Sequence, residues 1–62
     1  MYKNILIEIS DGIATLSFNR PDQLNAMNRE MMDEIIMGIH EINTNSEVLA
    51  TIITGQGKAF MA

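Results

Sequence analysis

The residues in this sequence best suited to binding or chemistry follow an apolar run near its carboxyl end. Gly55, Gly57 and Lys58 come just after the run Val48–Ile53, and glycines with a lysine behind a strand are the ingredients of a phosphate-binding loop. A P-loop, however, needs four residues between its first glycine and Gly-Lys, whereas only one intervenes here. A dinucleotide-binding fingerprint would need a third glycine where Phe60 stands. The spacing therefore argues against both nucleotide sites, which rank last among the functions considered.

Other side chains that could do chemistry also have structural interpretations. His40, the only histidine, falls at the edge of a predicted helical stripe and is interpreted as a boundary residue. Glu30, Asp33 and Glu34 could supply paired carboxylates for acid–base work, but they fall on the predicted solvent face of that helix and are equally typical of surface charge. The sequence has no cysteine, which excludes disulfides and thiolate metal sites.

Composition bounds the size and class of the protein. Its 62 residues allow at most one small domain, and a chain this short buries only about 60% of its unfolded surface. The hydrophobic content of 47% is too high for a disordered chain, and it is large for the volume available. We therefore expect further chain or partner subunits to supply the missing apolar contacts.

Charge and hydropathy bear on partners and location. Eight acidic residues and four scattered basic ones give a net charge of −4, which argues against a nucleic-acid-binding surface. The apolar stretch within Met1–Ser10 is too short for the core of a signal peptide, and no run approaches the roughly 18 apolar residues of a membrane span. The cytoplasm is therefore the expected compartment.

Alternating apolar and polar positions predict a β-hairpin at the amino end. The alternation runs through Asn4–Ser10 and again through Ile13–Phe18. Asp11 and Gly12 between them favour a type I′ turn, in which both central residues need a positive φ. Two antiparallel strands are therefore expected.

A helix is predicted after this hairpin. Pro21 ends the second strand because it cannot donate to a ladder, and no conformation is predicted for Gln23–Met27. Asn28 is the expected N-cap of a helix that runs to about Ile42. Gly38 predicts a close approach by another element. The apolar positions of the helix are expected to form one stripe: Met31, Met32, Ile35, Ile36, Ile39 and Ile42. Met37 lies on the polar side and indicates a second contact surface.

The run Val48–Ile53 predicts a strand buried on both faces. A strand, a helix and a second strand at this spacing imply a right-handed parallel crossover, so the fold class is α/β with the order β-β-α-β. One helix covers only one face of the sheet, and the sequence offers no cover for the other. The fold is therefore expected to be incomplete on its own, a single segment over residues 1–62 without separate domains.

Two segments together resemble the enoyl-CoA hydratase/isomerase (crotonase) family. The first reads N-R-P-D-Q-L-N-A-M over residues 19–27, and the second reads I-I-T-G-Q-G-K-A-F-M-A over residues 52–62. In that family a strand ending in N-R-P, the stretch L-N-A-M, an amphipathic helix and a strand ending in T-G-x-G-K-A-F-x-A follow in this order and spacing. The resemblance covers nearly the whole chain.

The resemblance implies the start of a crotonase-like spiral fold, built from repeated β-β-α units in longer chains that form trimers or hexamers. It implies acyl-CoA thioesters as ligands, with coenzyme A as part of the substrate and no separate cofactor. In such enzymes backbone N–H groups stabilise an enolate-like oxyanion, and glutamates add or move protons and water.

Carried over by position, Gln23, Leu24 and Ala26 match the loop that lies along coenzyme A. Ala62 matches the alanine that opens an A-G-x-D stretch near the adenine and the thioester. The resemblance places the oxyanion donors and the catalytic glutamates beyond Ala62, so no catalytic or metal-binding residue is assigned here.

The sequence supports three hypotheses about the function of the whole chain. The favoured one is the N-terminal part of an enoyl-CoA hydratase, a lyase of fatty acid metabolism, which is inactive as this segment alone and is truncated at Ala62. An isomerase, an acyl-CoA hydrolase or a dehalogenase of the same fold would look alike over these residues. The alternative of a different class is a small module that self-associates through Val48–Ile53 and the open helix face. Lys58 and Arg20 are interpreted as exposed cations in preference to contacts with a coenzyme A phosphate.

Overall fold

The computed structural model describes residues 2–62 and contains a hairpin, one helix and a third strand. The elements are β1 (Ile5–Ser10), β2 (Ile13–Phe18), α1 (Arg29–Asn43) and β3 (Ala50–Gly55). A single 3₁₀ turn, Pro21–Gln23, lies between β2 and α1. The predicted order β-β-α-β is confirmed. No helix within residues 2–62 is long and apolar enough to cross a membrane.

The three strands form one mixed sheet in the order β1-β2-β3. β1 pairs antiparallel with β2, and β2 pairs parallel with β3. In the hairpin turn φ is 53° at Asp11 and 80° at Gly12, the two positive values that the sequence predicts for this turn. Asn28 caps α1, since its side-chain oxygen accepts from the Met31 N–H at 2.8 Å. The hairpin and the N-cap are both confirmed.

The core lies between α1 and one face of the sheet. Its fully buried apolar residues come from both: Ile5, Ala14, Leu16, Phe18, Met31 and Ile42. The helix approaches β1 closely at Gly38, where an added Cβ would stand 2.9 Å from Ile7 Cδ1 and 3.0 Å from Ile5 Cδ1. The close approach predicted at this glycine is therefore confirmed.

The predicted apolar stripe on α1 is only partly covered by the sheet. Met31 and Ile42 are buried, but Met32, Ile36 and Ile39 are 46%, 62% and 39% exposed. Successive helical residues are separated by about 100° around the axis, which turns these three exposed residues away from the sheet. They form the uncovered side of the same stripe, named here the outer helix face.

Strand β3 differs from its prediction in limits and in burial. It begins at Ala50 and not at Val48, because the Val48 N–H donates to the Asn45 carbonyl in a preceding turn. Ile52 and Ile53 are 51% and 48% exposed, so the prediction of burial on both faces is wrong within residues 2–62. An apolar run signals that a strand is covered somewhere, not which segment covers it.

The acidic side of α1 has a structural role that the sequence interpretation missed. The Glu34 carboxylate accepts from the backbone N–H groups of Lys3 and Asn4, at 3.1 and 2.7 Å. Glu30 accepts from Asn4 Nδ2 at 2.9 Å and lies 3.8 Å from Lys3 Nζ. These contacts fasten the segment before β1 to the helix. The hydrogen bond from Asn4, and next the charge of Lys3, lower the pKa of Glu30 below its ordinary value.

Candidate functional site

Two loops meet at one edge of the sheet. Because β2 and β3 are parallel, their carboxyl ends lie side by side, and Phe18 pairs with Gly55 there. The chain between β2 and the N-cap of α1, residues 19–27, is named the first loop, and the chain after β3, residues 56–62, the second loop. Open α/β sheets bind ligands outside the carboxyl ends of their strands, so this edge is the candidate site.

The first loop holds an uncommon backbone conformation. After the 3₁₀ turn, Leu24 and Asn25 have φ values of 51° and 58°. This left-handed region costs an ordinary L-residue roughly 1–2 kcal/mol, and asparagine tolerates it better than leucine. The Leu24 N–H donates to the Pro21 carbonyl at 3.1 Å, and the Asn25 N–H donates to the Arg20 carbonyl at 2.8 Å. The loop is thereby folded back on its own beginning.

Asn25 joins the first loop to the second. Its side chain is fully buried. The Oδ1 atom accepts from the Arg20 N–H at 2.8 Å, while Nδ2 donates to the Gln56 carbonyl at 2.8 Å and to the Ala59 carbonyl at 2.7 Å. Both Nδ2 hydrogens are used, so the carboxamide satisfies polar groups on both loops.

The two glycines of T-G-Q-G let the loops approach each other. A Cβ on Gly55 would lie 2.5 Å from the Phe60 carbonyl oxygen and 2.8 Å from Asn25 Nδ2. Gly57 has a φ of 83°, and its Cβ would lie 2.9 Å from Pro21 Cβ. Close packing thus accounts for both glycines without a bound phosphate, in agreement with the failure of the P-loop spacing.

The four residues predicted to bind coenzyme A lie on these loops. Gln23 and Ala62 are exposed, Leu24 is 48% exposed and Ala26 is half-buried. Leu24 and Ala26 flank Asn25, and Ala62 follows three places after the Ala59 carbonyl that Asn25 binds. The structure therefore brings their loops together, and their contact with coenzyme A stays a prediction.

The two candidate cations differ from each other. Lys58 is exposed, as predicted. Arg20 is half-buried and its guanidinium donates to the Ala26 carbonyl, so its interpretation as an exposed cation is wrong. The left-handed turn at Leu24 and Asn25 returns the chain towards Arg20, and sequence reasoning did not predict that turn.

Asn25 is the residue at this edge that sequence reasoning missed. Its signal was available in part, because an asparagine after a proline turn is well suited to positive φ. The partners of its side chain, however, lie 31 and 34 residues further on, and no local pattern identifies them.

A surface depression lies elsewhere, between β1 and α1. Its volume is about 710 Å³, and its lining residues belong to neither loop: Tyr2, Ile5, Leu6, Ile7, Glu34, Met37 and Glu41. Met37, which the sequence marks as part of a second contact surface, is 56% exposed within it.

Comparison with known proteins extends over the whole β-β-α-β unit. The enoyl-CoA hydratase/isomerase family model matches residues 8–62. The chain is 43% identical over 60 residues to the short-chain-enoyl-CoA hydratase of Clostridium acetobutylicum, covering 95% of this chain and 23% of that protein. It is 32% identical over 59 residues to a 4-chlorobenzoyl coenzyme A dehalogenase of an Arthrobacter species, covering 95% and 21%.

The fold comparison agrees. The crystal structure of an enoyl-CoA hydratase/isomerase from Mycobacterium paratuberculosis matches all of this chain and 24% of its own, with a TM-score of 0.97 and 34% identity. The chain thus spans about a quarter of the length of the proteins it matches. Its strands, helix and both loops are those of the start of the crotonase fold, and the chain belongs to the enoyl-CoA hydratase/isomerase family.

Proposed function

We propose that these residues form the N-terminal part of an enoyl-CoA hydratase, a lyase that adds water to 2-enoyl-CoA thioesters. The observation that carries the proposal is the union of the first and second loops at the carboxyl edge of β2 and β3, made by the Asn25 carboxamide. The relative with 43% identity is named a short-chain-enoyl-CoA hydratase, which favours hydration over the other reactions of the family.

In this proposal the described residues bind and position the substrate. Gln23, Leu24 and Ala26 lie along coenzyme A, and Ala62 lies near the adenine and the thioester. Coenzyme A enters as part of the substrate, with no separate cofactor. Fixed backbone N–H donors stabilise an oxyanion better than mobile groups, because they need no reorganisation as charge develops. Those donors and the catalytic glutamates lie beyond Ala62, so residues 1–62 alone are inactive.

The test begins with the coding sequence after Ala62. We expect Gly-x-Asp to follow directly and a glutamate to appear later at the start of a helix. The extended chain should then hydrate a 2-enoyl-CoA, measured as loss of absorbance of the conjugated thioester. An extended chain without these residues, or one that released chloride from 4-chlorobenzoyl-CoA but hydrated no enoyl-CoA, would contradict the hydratase assignment.

We further propose that the enzyme is a homo-oligomer, a trimer or a hexamer, and that it works in the cytoplasm. The exposed outer helix face and the exposed Ile52 and Ile53 support the assembly, because they leave apolar surface for further chain or subunits to cover. Sedimentation of the extended chain measures the oligomer. A monomer would contradict the proposed homo-oligomer but would not affect the proposed hydratase activity.

The second candidate is a self-associating module without catalysis. The exposure of Ile36, Ile52 and Ile53 favours it as well. Sedimentation and thermal melting of the 62-residue chain separate the two candidates. A discrete oligomer with a cooperative melt supports the module, whereas an aggregating or unfolded chain supports the part of a larger enzyme.

A further inference from the structure

We infer that Asn25 is a positioning residue of the acyl-CoA site, whose carboxamide holds the first and second loops in the arrangement that coenzyme A binds. The inference rests on the proposed function and adds to it a residue and a role. It concerns the geometry of the site, since Asn25 itself does not face the ligand.

The burial and bonding of Asn25 carry the first step. The side chain is fully buried, and its three hydrogen bonds measure between 2.7 and 2.8 Å. One bond stays within the first loop, at Arg20, and two reach the second loop, at Gln56 and Ala59. A buried carboxamide that satisfies carbonyls on another segment is costly to remove, because those partly buried carbonyls then lose their partner.

The surroundings of the carboxamide show that it acts through its neighbours. Both Nδ2 hydrogens are taken by backbone carbonyls, so neither is left for a substrate. A Cβ built on Gly55 would stand 2.8 Å from Nδ2, which leaves no space for a ligand atom on that side. What Asn25 controls is therefore the position of Leu24 and Ala26 on either side of it and of the chain leading to Ala62.

The expected consequence is a defect in binding more than in turnover. Without the two bonds to the second loop, the loops separate, and the turn at Leu24 keeps only the bonds within the first loop. Coenzyme A contacts weaken along both loops, while the glutamates that transfer protons lie on chain outside both of them. The Michaelis constant and the dissociation constant for coenzyme A should rise, and kcat should change little.

The test compares Asn25→Asp with Asn28→Asp in the extended chain that contains these residues. At Asn25 the exchange keeps the acceptor for the Arg20 N–H but turns a carboxylate oxygen towards two carbonyl oxygens. At Asn28, three places on, the same exchange keeps the helix cap, because a carboxylate accepts the Met31 N–H equally well. Calorimetric titration with coenzyme A and steady-state kinetics give the readouts.

We expect Asn25→Asp to raise the dissociation constant for coenzyme A and KM by about tenfold or more, the effect of losing two buried hydrogen bonds. Its kcat should stay within about twofold, and Asn28→Asp should match the parent in all three. If Asn25→Asp does not fold, the Gly57→Ala variant is measured in its place. It pushes the second loop away from Pro21 without altering Asn25. It should give the same rise in KM with kcat retained.

The outcomes separate the two proposals. A parent chain that binds no coenzyme A overturns the proposed function and this inference together. A parent that binds, with Asn25→Asp indistinguishable from Asn28→Asp, overturns the inference alone. A fall in kcat at unchanged KM also overturns it, because Asn25 would then act on the reacting atoms.

Discussion

At the scale of single residues, the candidate site depends on backbone conformations that most side chains avoid. Leu24 adopts a left-handed φ although it is neither glycine nor asparagine. Such strain persists where the surrounding structure holds it, and it concentrates at functional sites. Here the holding contacts are the Asn25 bonds to Arg20, Gln56 and Ala59. The strain at Leu24 and the burial of Asn25 are thus two parts of one arrangement.

We predict that Leu24→Gly is more stable than Leu24→Ala by about 1 kcal/mol, because glycine relieves the left-handed strain and loses part of that gain to its freer unfolded chain. Urea denaturation of the extended chain measures the difference. Met27 is the matched control, since it is exposed in the same loop and does not have a positive φ. There the order should reverse, with alanine the more stable. The same order at both positions would contradict the prediction.

A pH effect is expected at Glu30. Its folded pKa lies below the ordinary value of 4.5, so its contribution to stability is present above that value and is lost as the pH falls through the lower, folded pKa. Asn4→Ala removes the largest cause and should raise the pKa of Glu30 towards 4.5. The carbon-13 shift of the Glu30 carboxyl, followed against pH, measures it.

Lys3→Gln is the comparison for Glu30, because it removes the second cause of the lowered pKa and keeps the first. It should raise the pKa of Glu30 by less than Asn4→Ala does. The reverse ranking would mean that the charge of Lys3, and not the hydrogen bond of Asn4, stabilises the carboxylate.

At the scale of elements, local patterns were sufficient where partners are close in sequence. The hairpin, its turn and the cap of α1 were all predicted, since β2 pairs with β1 across a two-residue turn and Asn28 bonds within its own first helical turn. β3 was misplaced by two residues because the turn bond from Val48 to Asn45 leaves no mark on hydropathy. One uncovered face of the sheet was expected, but the exposure of both Ile52 and Ile53 was not, since an apolar run does not say which segment covers it.

The candidate site, too, could be predicted from the sequence only in part. The positions of Gln23, Leu24, Ala26 and Ala62 came from resemblance, and the structure places them on two loops that touch. The contact that joins those loops spans more than thirty residues of sequence. Asn25 therefore appeared in the sequence as one more polar loop residue, and its role became visible only when the second loop was folded against it.

The hairpin turn gives a prediction at this scale. Gly12 has a φ of 80°, and an added Cβ would stand 3.3 Å from Leu49 Cδ1. Gly12→Ala should lower the free energy of unfolding by about 1–2 kcal/mol, because alanine pays for the left-handed conformation. Asp11→Asn is the control and should be nearly neutral, since asparagine suits the first position of this turn. Thermal melts of both variants test it, and equal melting temperatures would show that the turn tolerates a side chain.

At the scale of the whole molecule, the apolar surface is divided between a packed face and open ones. α1 covers the face of β1 and β2 that carries Leu16, while the outer helix face and the residues of β3 stay largely exposed. Contiguous apolar patches on a small protein mark surfaces that are covered in its working form. The proposed longer chain and its subunits would provide that cover.

Two isoleucines on α1 separate the open surface from the core. Ile36→Lys should reduce self-association of the 62-residue chain with little change in its circular dichroism, because Ile36 is 62% exposed. Ile42→Lys should unfold it, because Ile42 is 3% exposed and an unpaired charge there has no solvation. Light scattering and circular dichroism measure the two effects. Undiminished aggregation of Ile36→Lys would show that the outer helix face does not drive association.

The long reach of the Asn25 carboxamide also sets an order of events during synthesis. The carbonyls that it binds are added 31 and 34 residues later. At a translation rate of about 5–20 residues per second, Asn25 is made roughly 2–7 seconds before Ala59. The same interval separates their emergence from the exit tunnel, so the hairpin can close outside the ribosome while the amide still faces water. A nascent chain stalled before Ala59 leaves the exit tunnel would therefore have a folded hairpin and a first loop that is not yet bonded to the second loop.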